Sequence, residues 1–131
     1  MRMNIIVNFK FEGIHQWSGV MKDGDEKIKN VEFLKHPHRH IFHVTAKKEV
    51  KHDDRDIEII QLKRQMERMF SAHKIPALLG ETSCEQLAKT FIKTFDLCYC
   101  SVLEDGENGA EAWADTPVNE DLSIDELFKN S

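Results

Sequence analysis

The fold is decided by the stretch Met3-Asn4-Ile5-Ile6-Val7-Asn8-Phe9-Lys10-Phe11, close to the start of the chain. Apolar residues occupy every second position, and Asn4, Asn8 and Lys10 stand between them. Successive side chains of a β-strand point to opposite faces, so this period of two predicts a strand with one face buried and the other in water.

A second strand is predicted from His38 to about Val50, where Phe42 and Val44 continue the face that carries His38 and His40. Between the two strands, residues 16–30 hold Gly, Ser, Asp and Lys without periodicity, which predicts a long loop. Loops of this length in compact domains are often functional.

Two helices are predicted after the second strand. Apolar residues recur at steps of three and four from about Asp56 to Ala72, which is typical of an amphipathic helix. Pro76 and Gly80 then interrupt the pattern. Ser83, followed by Gln86 three residues later, forms a capping-box signal for the second helix.

Two more strands complete the predicted order. Leu97 to Glu104 predicts a third strand, the turn residues Asp105 to Gly109 follow it, and Ala110 to Ala114 predicts a short fourth strand. The order β-β-α-α-β-β indicates an α+β fold.

The chain of 131 residues has the size of one domain, which we place at residues 1–114. Residues 115–131 predict an acidic C-terminal tail that contains at most one short helix, capped by Ser123.

Composition excludes several classes of protein. Eighteen Lys and Arg stand against 23 Asp and Glu, and no dominant basic run occurs, which argues against a nucleic-acid binder. No segment approaches the roughly 20 apolar residues that a membrane-spanning helix needs. Three cysteines without a signal-like N-terminus predict a cytoplasmic protein without a disulfide framework.

The histidines predict a metal site. His38 and His40 lie two apart in a strand, so their imidazoles project from one face about 7 Å apart at the backbone. His15 follows the end of the first strand, which a hairpin-like pairing brings beside the second. Three protein ligands and one open position are typical of a catalytic zinc, so we predict Zn²⁺ at His15, His38 and His40.

Two alternatives compete with this ligand set. The three histidines could be ordinary surface or capping residues, because four of the seven histidines lie between His36 and His43. His36 and His38 form a second H-x-H register, but the intervening Pro37 disfavours a regular strand there. His43 belongs to the opposite strand face, which suggests a place in the core or an interface.

Five motifs in order resemble the 6-pyruvoyl- and 6-carboxytetrahydropterin synthases of the tunnelling fold. Phe11-Glu12-Gly13-Ile14-His15 is similar to their F-x-A-x-H, and His38-Arg39-His40-Ile41-Phe42-His43-Val44 to their H-G-H-x-Y-x-V. Glu58-Ile59-Ile60-Gln61-Leu62-Lys63 resembles D-F-x-x-L-K, and Thr82-Ser83-Cys84-Glu85-Gln86-Leu87-Ala88 resembles P-T-x-E-N-x-A. Glu104 matches the glutamate that anchors the heterocycle in that family.

The resemblance, which covers residues 3–114, implies a concrete set of properties. Subunits of this fold form rings in which the sheets close a multi-subunit β-barrel, with pockets between neighbouring subunits. Zinc orients the substrate, dihydroneopterin triphosphate, in a lyase reaction that leads to pterins or to 7-deazaguanines such as queuosine. Glu104, Ser83 and Glu85 would contact the substrate.

The chain departs from the family at its proton-transfer groups. The family cysteine four residues before H-x-H is replaced by Leu34, or by Glu32 in the alternative register. An Asp-His pair is expected between the helices, but Ala72 precedes His73, so His73 alone is left as a candidate catalytic residue. Cys84, at the start of the second helix, is better explained as a packing residue.

Three functions follow from this pattern. The first is a divergent zinc-dependent carbon–oxygen lyase, and the second is a protein that holds a pterin, purine or nucleotide without converting it. The third is an assembly protein that retains the fold only for oligomerisation. We expect a chain with this histidine pattern to belong to a side branch of the family, which could include phage-encoded proteins.

Overall fold

The computed structural model describes residues 1–19, 30–71 and 77–115. Within these ranges one five-stranded sheet is flanked by two helices. The elements are β1 (Met3–His15), a 3₁₀ turn (Glu32–Lys35), β2 (His38–Val50), α1 (Ile59–Ser71), β3 (Ala77–Gly80), α2 (Cys84–Phe95), β4 (Tyr99–Glu104) and β5 (Asn108–Trp113). The predicted α+β class is confirmed.

The sheet has the strand order β3-β1-β2-β4-β5. β1 pairs with β2 along its full length, from Met3 opposite Val50 to His15 opposite His38. β4 and β5 continue this antiparallel arrangement, whereas β3 runs parallel to the end of β1. The order along the chain is therefore β-β-α-β-α-β-β, and the prediction of only four strands was wrong.

The missed strand is short. Ala77–Gly80 contains four residues and ends at a glycine with φ of 59°, so it shows neither a full alternating period nor a clear boundary. β1 also runs beyond Phe11 to His15, because Gly13 continues the ladder opposite His40. An added Cβ at Gly13 would lie 2.8 Å from Leu79 Cδ1 and 3.0 Å from Phe42 Cε2, so a side chain at this position would require Leu79 to move.

Both helices cover the same face of the sheet. α1 packs on β1, and α2 packs on β4 and β5. The core between the layers contains fully buried side chains of both, among them Phe42, Phe91, Met66 and Leu87. The sequence periodicity thus predicted the buried face correctly.

The second helix begins as its sequence predicts. Ser83 Oγ accepts a hydrogen bond from the Gln86 amide at 3.1 Å, and Gln86 Oε1 accepts one from the Ser83 amide at 2.9 Å. This reciprocal pair satisfies two amides that lack partners within the helix. It fixes the start of α2, and the preceding residue, Thr82, contacts His15 at the end of β1.

A tight turn joins β4 to β5. Asp105 and Gly106 have φ angles of 55° and 73°, and the Glu107 amide bonds to the Glu104 carbonyl at 2.9 Å. β5 therefore begins at Asn108, two residues earlier than predicted. The turn returns the chain close to β2, since the Asp105 amide donates to the Ile41 carbonyl at 2.7 Å.

Three predictions fall outside the described residues. They are most of the loop at 16–30, the segment that contains His73, and the short helix of the tail. Neither helix within the described ranges is long and apolar enough to cross a membrane.

Candidate metal centre

Strand pairing brings three histidines together at one end of the sheet. His15 lies opposite His38, and His40 lies two residues further along β2, opposite Gly13. One ring nitrogen of each histidine lies within 4.8 Å of those of the other two. The predicted convergence of His15, His38 and His40 is confirmed.

Each of these imidazoles is held by its Nδ1 atom. His15 Nδ1 lies 2.8 Å from the Thr82 carbonyl, and His38 Nδ1 lies 2.8 Å from the His36 carbonyl. His40 Nδ1 lies 2.7 Å from Asp105 Oδ2. Carbonyl and carboxylate oxygens accept hydrogen bonds, so all three Nδ1 atoms carry the proton.

The opposite nitrogens are therefore free to bind a cation. In a neutral imidazole with a protonated Nδ1, Nε2 presents a lone pair. The Nε2 atoms of His15 and His40 are buried and have no hydrogen-bond partner. Metal-binding histidines usually donate their other ring N–H to a carbonyl or carboxylate, which fixes the tautomer in this way.

Asp105 has a role that the sequence did not reveal. The sequence predicted only a turn residue, and the side chain is half exposed, yet its two oxygens accept hydrogen bonds from His40 Nδ1 and from the Ile41 amide. The hydrogen bond from Ile41 and then that from His40 lower the pKa of Asp105 below its usual value. The carboxylate is thus ionised at neutral pH and orients His40.

Two further histidines, one before β2 and one within it, do not belong to the cluster. His36 contributes only its carbonyl oxygen, and its exposed ring precedes the start of β2. His43 lies on the opposite face of the strand, where its ring packs over Gly106. The preference for His38 and His40 over the register that begins at His36 is confirmed.

A cavity of about 590 Å³ adjoins the histidines. Its lining includes His15, His38 and three residues that the resemblance places at the substrate: Ser83, Glu85 and Glu104. Trp17 and Leu34 form an apolar part of the wall, and the Trp17 amide donates to the Leu34 carbonyl at 2.7 Å. The cavity is within the usual size range of small-molecule sites.

Cys84 lines the same cavity but is poorly suited to act as a base. It is buried, and its Sγ lies 3.7 Å from Glu104 Oε2. Burial, followed by the nearby Glu104 carboxylate, raises the pKa of the Cys84 thiol to about 12. The thiol is therefore protonated at neutral pH, in keeping with a packing role.

Comparison with known proteins finds a solved structure of similar fold but no family. No family model matches the chain, and no curated protein does. The crystal structure of the uncharacterized protein WS1659 from Wolinella succinogenes is similar, with a TM-score of 0.55 and 12% identity over 88% of this chain and 99% of that chain. At this identity the likeness concerns the fold alone.

Proposed function

We propose that this protein holds a zinc ion at His15, His38 and His40 and binds a pterin- or purine-like heterocycle in the adjoining cavity. The observation that carries the proposal is the common orientation of the three rings. Each Nδ1 donates to an oxygen, so three Nε2 lone pairs are available at one site. Like-charged lone pairs repel one another, and a cation between them removes that repulsion.

The donor set favours zinc among the divalent metals. Imidazole binds zinc, copper, iron and nickel, whereas calcium and magnesium prefer oxygen ligands. Three histidines would leave one position of a tetrahedral ion open to a further ligand, and two of the three, His15 and His38, line the cavity. When bound, zinc would supply Lewis acidity to a ligand oxygen.

The cavity has the features that a flat heterocycle requires. Trp17 offers an aromatic side chain that is 45% exposed, and Leu34 adds apolar surface beside it. Glu104 offers a carboxylate, which can accept two parallel N–H donors from the amidine-like edge of a pterin or guanine. Family resemblance supports the same role for Glu104.

Binding without conversion is the better supported form of this function. Leu34 stands in the cavity wall where the related synthases place a cysteine, and Cys84 is protonated at neutral pH. A positioned acid or base typically contributes 10²–10⁴-fold to a rate. The second candidate is a zinc-dependent carbon–oxygen lyase acting on dihydroneopterin triphosphate, which the matching histidines and Glu104 favour.

We further propose the tunnelling fold's assembly into a homo-oligomer. The sheet face away from the helices carries Ile6 and Trp113, which are 53% and 65% exposed. They lie in one row across the strands with Lys47 and Tyr99 between them. A shared barrel would cover this face and pair the exposed edge of β5. Light scattering should report a multiple of 15.2 kDa, and a monomer at micromolar concentration would refute the assembly.

Metal analysis tests the core of the proposal. Protein purified without chelators or a poly-His tag should contain one zinc per subunit. The double variant His38→Ala/His40→Ala should lose it, whereas His36→Ala/His43→Ala should retain it, because neither ring belongs to the cluster. Metal-free parent protein, or equal loss in both variants, would refute the zinc site. Calorimetry with a pterin and a guanine nucleotide then tests the heterocycle.

A further inference from the structure

We propose that Glu104 is a fourth ligand of the metal while the cavity holds no other ligand. The proposal rests on the metal site of the proposed function and adds a residue to it. Glu104 is the last residue of β4 and lies opposite Phe42, two residues beyond His40 on the same face of β2. Its side chain therefore lies in the row of the sheet next to His40.

The two carboxylate oxygens of Glu104 approach two different histidines. Oε2 lies 3.1 Å from His15 Nε2, and Oε1 lies 3.5 Å from His40 Nε2. Neither nitrogen has a hydrogen-bond partner, although Oε2 is within bonding distance of His15 Nε2, so this oxygen lies beside the axis of the nitrogen lone pair rather than along it. A direct N–H···O bond does not explain this arrangement.

Ligands of one tetrahedral ion lie in this relation to one another. With metal–nitrogen and metal–oxygen bonds of about 2.0–2.1 Å, neighbouring ligand atoms are about 3.4 Å apart, and each lies off the other's lone-pair axis. The 3.1 Å between Oε2 and His15 Nε2 is close to this value, whereas the 3.5 Å contact at His40 is made by the other oxygen, so ligation through one oxygen requires a small rotation of the carboxylate.

This arrangement has a consequence for binding. A heterocycle that donates hydrogen bonds to the Glu104 carboxylate must draw the carboxylate away from the metal. The fourth coordination position would then be open to the heterocycle. Metal and heterocycle would therefore compete for Glu104, and the metal would be closed to outside ligands until the cavity fills. Glu104 in this role is a switch between a closed and an open metal site.

Zinc affinity, measured by competition with a chromophoric chelator, tests the ligation. Glu104→Gln should weaken zinc binding by at least about tenfold, because a neutral amide is a much poorer ligand than a carboxylate. Glu85→Gln is the matched control, since Glu85 lines the same cavity but makes no approach to a cluster nitrogen. Glu104→Asp keeps the charge and shortens the arm, so it should resemble Glu104→Gln if the carboxylate binds the metal.

A second readout uses the cobalt(II)-substituted protein and free imidazole, whose neutrality makes it insensitive to the charge change. Imidazole should alter the visible spectrum of Glu104→Gln at far lower concentration than that of the parent or Glu85→Gln. Equal zinc affinity and equal imidazole titrations in all variants would overturn the ligand role of Glu104. A parent protein that binds no zinc would instead refute the proposed function.

Discussion

Replacing Asp105 by Asn tests whether the outer contacts of the histidines set the metal affinity. Both oxygens of Asp105 accept a hydrogen bond, one from His40 Nδ1 and one from the Ile41 amide. Asn retains one acceptor and presents an NH₂ group to the other donor. Either His40 loses the partner that fixes its tautomer, or the Ile41 amide loses its bond and the turn shifts.

We expect zinc affinity to fall roughly 10–100-fold, the usual effect of removing such a partner from a metal-bound histidine. The backbone should not change, because Asn tolerates the left-handed conformation of Asp105 as well as Asp does. Asp96→Asn is a matched control. Asp96 also has a left-handed backbone, with φ of 53°, but it ends α2 and contacts no imidazole.

The assay is competition with a chromophoric chelator at constant pH, with thermal unfolding of the metal-free proteins as a check on folding. Asp105→Asn should bind zinc more weakly than Asp96→Asn while the two unfold alike. If Asp105→Asn and the parent bind zinc equally, the Asp105 contact does not orient a ligand. The argument from the three Nδ1 bonds would then fail.

Three further predictions address the cavity and the core. Burial raises the pKa of the Cys84 and Cys100 thiols to about 12. Alkylation needs the thiolate, which forms only as the pH approaches that value, so both cysteines should react slowly with iodoacetamide at pH 8. Rapid labelling before unfolding in guanidinium would contradict their burial. In denaturant titrations, Phe42→Ala should lower the free energy of unfolding by about 3–5 kcal/mol, because Phe42 is 0% exposed. The control Phe33→Ala, at a site that is 63% exposed, should change the free energy of unfolding by no more than about 0.5 kcal/mol. Dihydroneopterin triphosphate should be converted far below the typical 1–10³ s⁻¹ in a product assay, since Leu34 lines the cavity at the position where the pterin synthases that the sequence resembles have a cysteine. A typical rate would show that other groups serve instead of the cysteine.

The sequence predicted the parts of the fold that follow a regular period. Alternation in β1 and β2, the three-and-four period of α1 and the capping box at Ser83 all matched the structure. β3 was missed because four residues at a sheet edge contain too little alternation to be distinguished from a loop. Its place is fixed by pairing with β1, more than sixty residues earlier in the chain.

The candidate site was predictable to a different degree. The candidate ligands His38 and His40 could be found, because histidines two apart on a strand must share a face. Their partners could not, since two of them are the backbone carbonyls of Thr82 and His36, which any residue type would supply. Asp105 looked like an ordinary turn residue because its bond to His40 spans 65 residues. Only the paired strands bring the two together.

The carbonyl that holds His15 belongs to Thr82, which immediately precedes the cap of α2. Thr82 is itself fixed, because its amide and its hydroxyl both donate to the Leu79 carbonyl. Displacement of Thr82 would therefore release the imidazole of His15, and a metal bound at the candidate site would oppose that displacement. If a metal binds there, the Thr82 amide, which donates to the Leu79 carbonyl, should exchange its hydrogen with solvent more slowly than in the metal-free protein. The order of the segment from Leu79 to Thr82 and the geometry of the candidate metal site are thus coupled.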